Sequence, residues 1–202
     1  PWRKLQKERF GLKSRKSQNR KSLKAKTILL CVTGSIAAYR ACDLVRDLKA
    51  EGARVICLMT EAAKQFVTPL TFHSLSGSPV YSDPFAEGQD WNVLHTTLAD
   101  QADLIFIAPA TADIIARLAA GFASDLVTSV VLASRAKVLI APAMNDHMYH
   151  HSITQENIAK LKRIGYRFAD PIAGDLVCGR TGLGHIAEHS TLLSAVRNTL
   201  HA

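Results

Sequence analysis

Three side chains in this 202-residue sequence stand where chemistry could be done: the imidazole of His95, the carboxamide of Asn145 and the thiol of Cys178. An imidazole titrates near neutral pH and can move a proton, although a lone histidine is more often structural. Asn145 follows Val138 to Ala141, an apolar run that reads as a buried strand and is stopped by Pro142. Its amide therefore falls at the carboxyl end of a strand, the edge where ligands bind in open α/β sheets. An earlier stretch, LIFIAPATAD, repeats the arrangement with apolar Leu104 to Ala108, then Pro109, then polar Thr111 and Asp113. Two such exits can be two walls of one site or two ordinary strand-to-loop exits. Cys178 lies among Gly174, Gly179, Gly182 and Gly184. That backbone freedom suits a flap that presents the thiol to a ligand, or a surface loop with an incidental cysteine.

A fourth feature is the turn Thr33-Gly34-Ser35-Ile36-Ala37, where a phosphate could sit on backbone N–H groups at a helix start. It matches neither G-x-x-x-x-G-K-[ST] nor G-x-G-x-x-G, so a P-loop kinase and an ordinary dinucleotide fold both lose support. One glycine with hydroxyls suits a phosphomonoester such as that of a flavin mononucleotide, and it equally suits a simple helix cap. His185-Ile186-Ala187-Glu188-His189 fits the H-x-x-E-H zinc pattern, but Gly182 and Gly184 put His185 in a loop, and no metal is expected.

The elements that must position these groups follow from periodicity. Thr27 to Val32 and Val55 to Met59 are buried-strand patterns, and the segment between them aligns Ala37, Ala41, Leu44, Val45 and Leu48 on one helical face. Strand, helix, strand at this spacing implies a right-handed crossover and a parallel sheet. Glu61 to Phe66 and Pro69 to Gly77 read as helices, Pro79 to Tyr81 as a short edge strand, and 82–91 as a loop. Ala102 to Ala108 returns to strand, with helices over Thr111 to Ala120 and Asp125 to Ala133. Ser152 with Gln155 reads as a capping box for a helix ending at Gly165. Phe168 marks a short strand, GDLVCGRTGLG a loop, and Ser190 to Leu200 a closing helix. The expectation is a single doubly wound α/β domain, Rossmann- or flavodoxin-like, with three layers and a parallel sheet of about six strands.

Charge divides the chain. Residues 1–26 carry eleven Lys or Arg against one acid, Glu8, while the remainder carries 14 basic and 16 acidic side chains. The tail, 1–26, is expected to be mobile or to lean on a partner, and 27–202 to form the domain. A nucleic-acid or anionic-surface arm, a transit-like segment and translated sequence upstream of the true start are all compatible with it. Cys31, Cys42, Cys57 and Cys178 form no C-x-x-C pair, which points to a reducing compartment, the cytoplasm. No apolar run approaches the roughly 18 residues of a membrane span, so no membrane partner is expected.

TGSIAAYR, MTEAAKQFVTP, a His before L-x-x-x-A-D, APATAD, PAMNDHMY and GDLVCGRTGLG occur in that order. Together they resemble the homo-oligomeric flavin-containing cysteine decarboxylases, over about Lys26 to the C-terminus. The resemblance implies FMN as cofactor, with Gly34, Ser35 and Ile36 at its phosphate region and Thr60, Thr111, Ala112, Asp113 and Ala143 as further contacts. It implies His95 as the base, Asn145 with Met148 on the substrate carboxylate, and Cys178 as the proton donor that completes a saturated product. The implied reaction is decarboxylation of phosphopantothenoylcysteine, a small phosphorylated cysteine conjugate, in coenzyme A biosynthesis. The thiol is oxidised in passing to a thioaldehyde, CO2 leaves, and the enethiolate is reduced again. The implied assembly is a trimer, or a dodecamer of trimers, with sites between subunits. Nucleic acid is not expected as a partner beyond nonspecific contact by the tail. Departures are Asp113 and Tyr149 where many members have Asn and Trp, Thr96 for a usual Ile, and His185 where an Arg often follows the G-x-G. The ligase half of the bifunctional bacterial members is absent, so it is expected on a separate protein, or the chain is a fragment. Other readings are a peptidyl-cysteine decarboxylase, a flavin prenyltransferase, which would lack Asn145 and Cys178, and a non-catalytic regulatory paralogue.

Overall fold

Apolar runs buried on both faces form the middle of a parallel sheet in the computed structural model, which describes residues 23–83, 94–175 and 181–202. In chain order the elements are β1 (Thr27–Val32), α1 (Arg40–Ala50), β2 (Arg54–Met59), α2 (Pro69–Ser76), β3 (Val80–Tyr81), α3 (Leu94–Gln101), β4 (Leu104–Ala110), α4 (Ala112–Ala120) and α5 (Leu126–Ala133). They continue with β5 (Lys137–Pro142), α6 (Asp146–His150), α7 (Ser152–Arg163), β6 (Arg167–Phe168), β7 (Ile172–Asp175), β8 (Thr181–His185) and α8 (His189–His201). Six strands pair in parallel in the order β3-β2-β1-β4-β5-β6, and β7 and β8 form a separate antiparallel ribbon. The chain moves outward from β1 to β3 and then returns to β4 on β1's other side. The carboxyl ends of β1 and β4 are therefore the switch point where such sheets open a crevice.

Alternate strand residues face two cores. Ile28, Leu30, Cys57, Phe106 and Leu139 pack with α1, α2 and α8 through Leu44, Phe72 and Val196. Leu29, Cys31, Ile56, Ile105 and Ile140 pack with α3, α4, α5 and α7 through Leu98, Ile115, Val130 and Leu161. Cover on both faces is why these strands read as continuous apolar runs rather than alternations. The expected three layers and six strands are present.

Four local expectations change. Residues 23–26, assigned to the tail, pack on the domain: Leu23 is fully buried and its N–H donates to the Glu51 carbonyl at 3.1 Å. Residues 1–22 lie outside the described residues, as do 84–93, most of the expected 82–91 loop. The stretch Glu61 to Phe66 is regular only over the 3-10 turn Ala63–Gln65. α7 is capped not by a Ser152/Gln155 box but by His151, whose Nδ1 accepts from the Ile153 N–H at 3.3 Å, while Gln155 Nε2 donates to the Tyr149 carbonyl. The expected glycine-rich loop is, at both described ends, the paired arms of the β7–β8 hairpin.

Candidate functional site

β1 delivers the chain into Thr33-Gly34-Ser35. Thr33 is 1% exposed, and its hydroxyl donates to the Pro109 carbonyl at 2.7 Å while accepting from the Thr111 N–H at 3.1 Å. One buried hydroxyl thus joins the β1 exit to the β4 exit. Thr60, at the end of β2, donates its N–H to the Val32 carbonyl at 3.1 Å, and its hydroxyl accepts from the Ala63 N–H at 3.3 Å. Gly34 passes so close to this turn that a Cβ there would run into the Ala62 side chain. Ser35 is extended and its Oγ accepts from the Ala37 N–H at 3.3 Å, which caps the 3-10 turn Ile36–Tyr39 leading into α1. The cap turns Ile36 and Tyr39 outward, 56% and 58% exposed.

β5 ends beside the same switch point. The Ala143 N–H donates to the Ala110 carbonyl at 2.9 Å, and the Met144 N–H donates to the Gly184 carbonyl at 3.1 Å. The β7–β8 hairpin is therefore seated on the PAMN turn, and only glycine fits at 184, because a Cβ would strike the Met144 carbonyl. Asn145 is half-buried, and its Oδ1 accepts from the His147 N–H at 3.0 Å at the start of α6.

A cleft of about 560 Å³ opens between these parts, with Ser35, Ile36, Tyr39, Arg40, Asn145 and His185 on its walls. Ala143 forms part of the same lining. Arg40 places a guanidinium there whose nearest acid, Glu188, stands 4.0 Å away. A hydroxyl, a guanidinium and an amide around a largely apolar space can orient an anionic, partly aromatic ligand.

The structure thus brings Ser35, Ile36, Ala143 and Asn145 into one cleft, with Gly34 supporting the turn behind them. Thr60, Thr111, Ala112, Asp113, Met148 and His95 are not on its described walls. Thr111 caps α4 through its Oγ1, which accepts from the Ile114 N–H at 3.3 Å, followed by a half-buried Ala112. Asp113 is exposed and accepts from Arg117 Nε at 3.0 Å. Met148 is 49% exposed and stands off the cleft wall. His95 is half-buried on the first turn of α3, whose Leu98 and Ala99 belong to the core on the opposite face from Ala143 and Ile186. Cys178 lies outside the described residues.

Arg40, Tyr39 and His185 were not among the expected site residues. Arg40 ends the TGSIAAYR motif, one helical turn beyond the capped serine, and that position was the available signal. His185 faces the cleft from β8, whereas His189 Nε2 lies 2.7 Å from Asp47 Oδ2, so the two histidines of the H-x-x-E-H pattern do different things. Among the described residues no group of His, Cys, Asp or Glu is placed to hold a metal ion. Burial pushes up the thiols of Cys31 and Cys57, the latter to about 12, so both are inert core groups.

The sequence matches the flavoprotein family model over residues 16–201. It is 49% identical over 176 residues to the bifunctional coenzyme A biosynthesis protein CoaBC of Vibrio vulnificus, covering 86% of this chain and 43% of that protein. The chain thus spans less than half the length of such bifunctional relatives. A probable phosphopantothenoylcysteine decarboxylase of Streptococcus mutans is 48% identical over 177 residues, covering 87% of this chain and 99% of the relative. Among solved structures, a cysteine-to-serine variant of PPC decarboxylase complexed with pantothenoylaminoethenethiol superposes with a TM-score of 0.79 at 27% identity, covering 88% of this chain and 99% of that one. The FMN binding protein AtHal3 superposes at 0.75 with 29% identity, covering 86% and 95%.

Proposed function

This chain belongs to the flavoprotein family, and from that premise we propose that it is an FMN-dependent decarboxylase of phosphopantothenoylcysteine. The observation that carries the reading is the cleft in which the Ser35–Arg40 turn and Asn145, more than a hundred residues apart, face one another. The near full-length likeness to the S. mutans protein supports the substrate.

The residues present fit the cofactor. Ser35 and the first N–H groups of the turn that continues into α1 suit a phosphomonoester. Exposed Ile36 and Tyr39 offer apolar surface for a planar ring system. A bound flavin supplies a two-electron acceptor, so that oxidation at the thiol-bearing carbon places an electron sink next to the breaking bond.

The chain's own groups supply the rest. Asn145, with Met148, fixes the substrate carboxylate. His95 takes the thiol proton as the general base. Cys178 returns a proton to the enethiolate carbon; together with the hydride that a bound flavin would hand back, this gives a saturated aminothiol. Thr60, Thr111, Ala112 and Asp113 complete the cofactor's surroundings. The base for each cleft comes from a neighbouring copy, in a trimer or a larger assembly of trimers, since His95 is not among the residues that line the cleft within one subunit. Unpaired buried thiols at Cys31 and Cys57 suit a reducing, cytoplasmic location.

The test is to load the purified chain with FMN, supply phosphopantothenoylcysteine, and identify the product. Phosphopantetheine with one CO2 per turnover is expected, and Cys178→Ser should accumulate the unsaturated enethiol instead. A wild-type chain that releases only the enethiol would reassign it to the peptidyl-cysteine type of chemistry. One that takes up no flavin would end the proposal.

A further inference from the structure

The junction of α7 and β6 reads Lys160-Leu161-Lys162-Arg163-Ile164-Gly165-Tyr166-Arg167, four cations in eight residues. It lies at the amino edge of the sheet, the end away from the cleft, beside the start of β5 with Arg135 and Lys137. β5 and β6 are hydrogen-bonded neighbours, about 4.8 Å apart. Arg135, Lys137, Lys160, Arg163 and Arg167 are all exposed, and none forms an ion pair among the described residues. Lys162 differs: its Nζ is 3.4 Å from Asp170 and 5.4 Å from the Phe168 ring centroid. Other acids at this end include Asp100, Asp103, held by Lys26 at 2.7 Å, and Glu51, held by Arg197 at 2.6 Å.

The carbonyl end of α7 accounts for the cations in its last turn. It does not account for Lys137 and Arg167, which open strands and face water. The chain also enters the domain at this edge, through buried Leu23, and the 22 residues before it hold nine Lys or Arg and one Glu. The described chain thus begins, at Leu23, at the same edge that carries these cations.

We propose that this edge is a contact surface for nucleic acid that grips the phosphodiester backbone without selecting bases and leaves the catalytic cleft free. Three of these five exposed cations are arginines, whose planar donor fork matches phosphate. Ile164, 60% exposed, is a single large apolar side chain in that turn, too little to enter a bilayer. Tyr166 is half-buried and Phe168 lies under Lys162, so neither ring of this junction is open for bases to stack on. Single strands and duplexes are both taken.

The test is fluorescence anisotropy of the full chain with labelled oligonucleotides of about 20 nucleotides, single-stranded and duplex, over roughly 50–200 mM NaCl. Binding should weaken steeply with salt. Lys137→Gln/Arg163→Gln/Arg167→Gln should weaken it by at least about tenfold and lower the salt slope by about 2–3, one phosphate contact per lost charge. Flavin uptake and thermal melting should be unchanged. Arg163→Lys/Arg167→Lys should keep the slope, and losing it there would show structural damage and overturn the assignment. Equal binding by the triple variant, or binding to phosphatidylserine vesicles but not to oligonucleotide, would overturn it too.

Discussion

At its carboxyl edge the sheet ends in turns of small and hydroxyl residues that bond to one another: Thr33 to the Pro109 and Thr111 backbone, Ala143 to Ala110, Met144 to Gly184. At its amino edge the same strands start from charged residues, Lys26, Arg54, Asp103 and Lys137, and the contact between them is a part-exposed ion pair, Lys26 Nζ to Asp103 at 2.7 Å. The first edge presents donors and apolar surface to a cleft, and the second presents charge to water. Mutual bonding of the turns fixes a binding geometry, whereas the other edge needs only to begin strands and anchor the incoming chain. Substitutions at the carboxyl edge should therefore damage function beyond any loss of stability, and those at the amino edge should do the reverse.

The sharpest break would come from Asn145→Ala and His95→Asn. Each should lower CO2 release by about a thousandfold or more, roughly 4 kcal/mol at the transition state, with thermal unfolding nearly unchanged. Mixing the two inactive proteins should restore part of the activity if each cleft takes its base from another copy. Mixed assemblies that stay dead would place His95 and the cleft in the same subunit's service.

At the other edge Leu23→Ala removes a fully buried side chain and should cost about 2–4 kcal/mol in denaturant unfolding, with turnover per folded molecule intact. Lost turnover in the folded fraction would mean that the two edges are coupled.

Thr33→Val keeps the shape but leaves the Pro109 carbonyl and Thr111 N–H without their partner, a cost of about 1–3 kcal/mol. Flavin affinity should fall beyond what the stability loss explains, and Thr33→Ser should restore it. If flavin affinity stayed at the wild-type value, the joined turns would be scaffolding alone.

The smallest effect belongs to Asp103→Asn. Burial raises the Asp103 carboxyl, but its bonds from Lys26 and the Thr27 N–H outweigh this and hold it below its ordinary value of 3.8. A lowered folded-state value stabilises above the ordinary value and is lost as pH falls through the folded one. The variant should thus be about 0.2–1 kcal/mol less stable at pH 7, with the gap closing below about pH 4. A gap that persists at low pH would mean that the loss is not carried by the ionised carboxyl.

Much of the fold is legible because its signals are local. β1, β2, β4 and β5 are apolar runs bounded by turn residues, and α4 announces itself with Thr111 before it and Gly121 after it. The α7 cap was misread because Ser152 and Gln155 satisfy the box pattern, while the preceding His151 takes the cap position with a ring nitrogen. Tail residues 23–26 were misread because one leucine among lysines gives no periodicity, yet a single buried contact is enough to anchor them. Arg40 escaped notice because a cation at a helix start looks like an ordinary solvated residue until the opposite wall of the cleft is in place.

From the sequence alone came the parallel α/β architecture, the order of its elements, and the kinds of groups available: a capped phosphate-type turn, an imidazole, an amide and a thiol. Only the tertiary structure decided which of them meet. Strand order set Ser35 against Asn145 and left His95 off the walls of that cleft, and the close seat of Gly184 on Met144 brought His185 to it. The physical reason is range: caps and burial patterns act over a few residues, whereas a site assembled from β1, β5 and β8 depends on how the crossovers stack those strands.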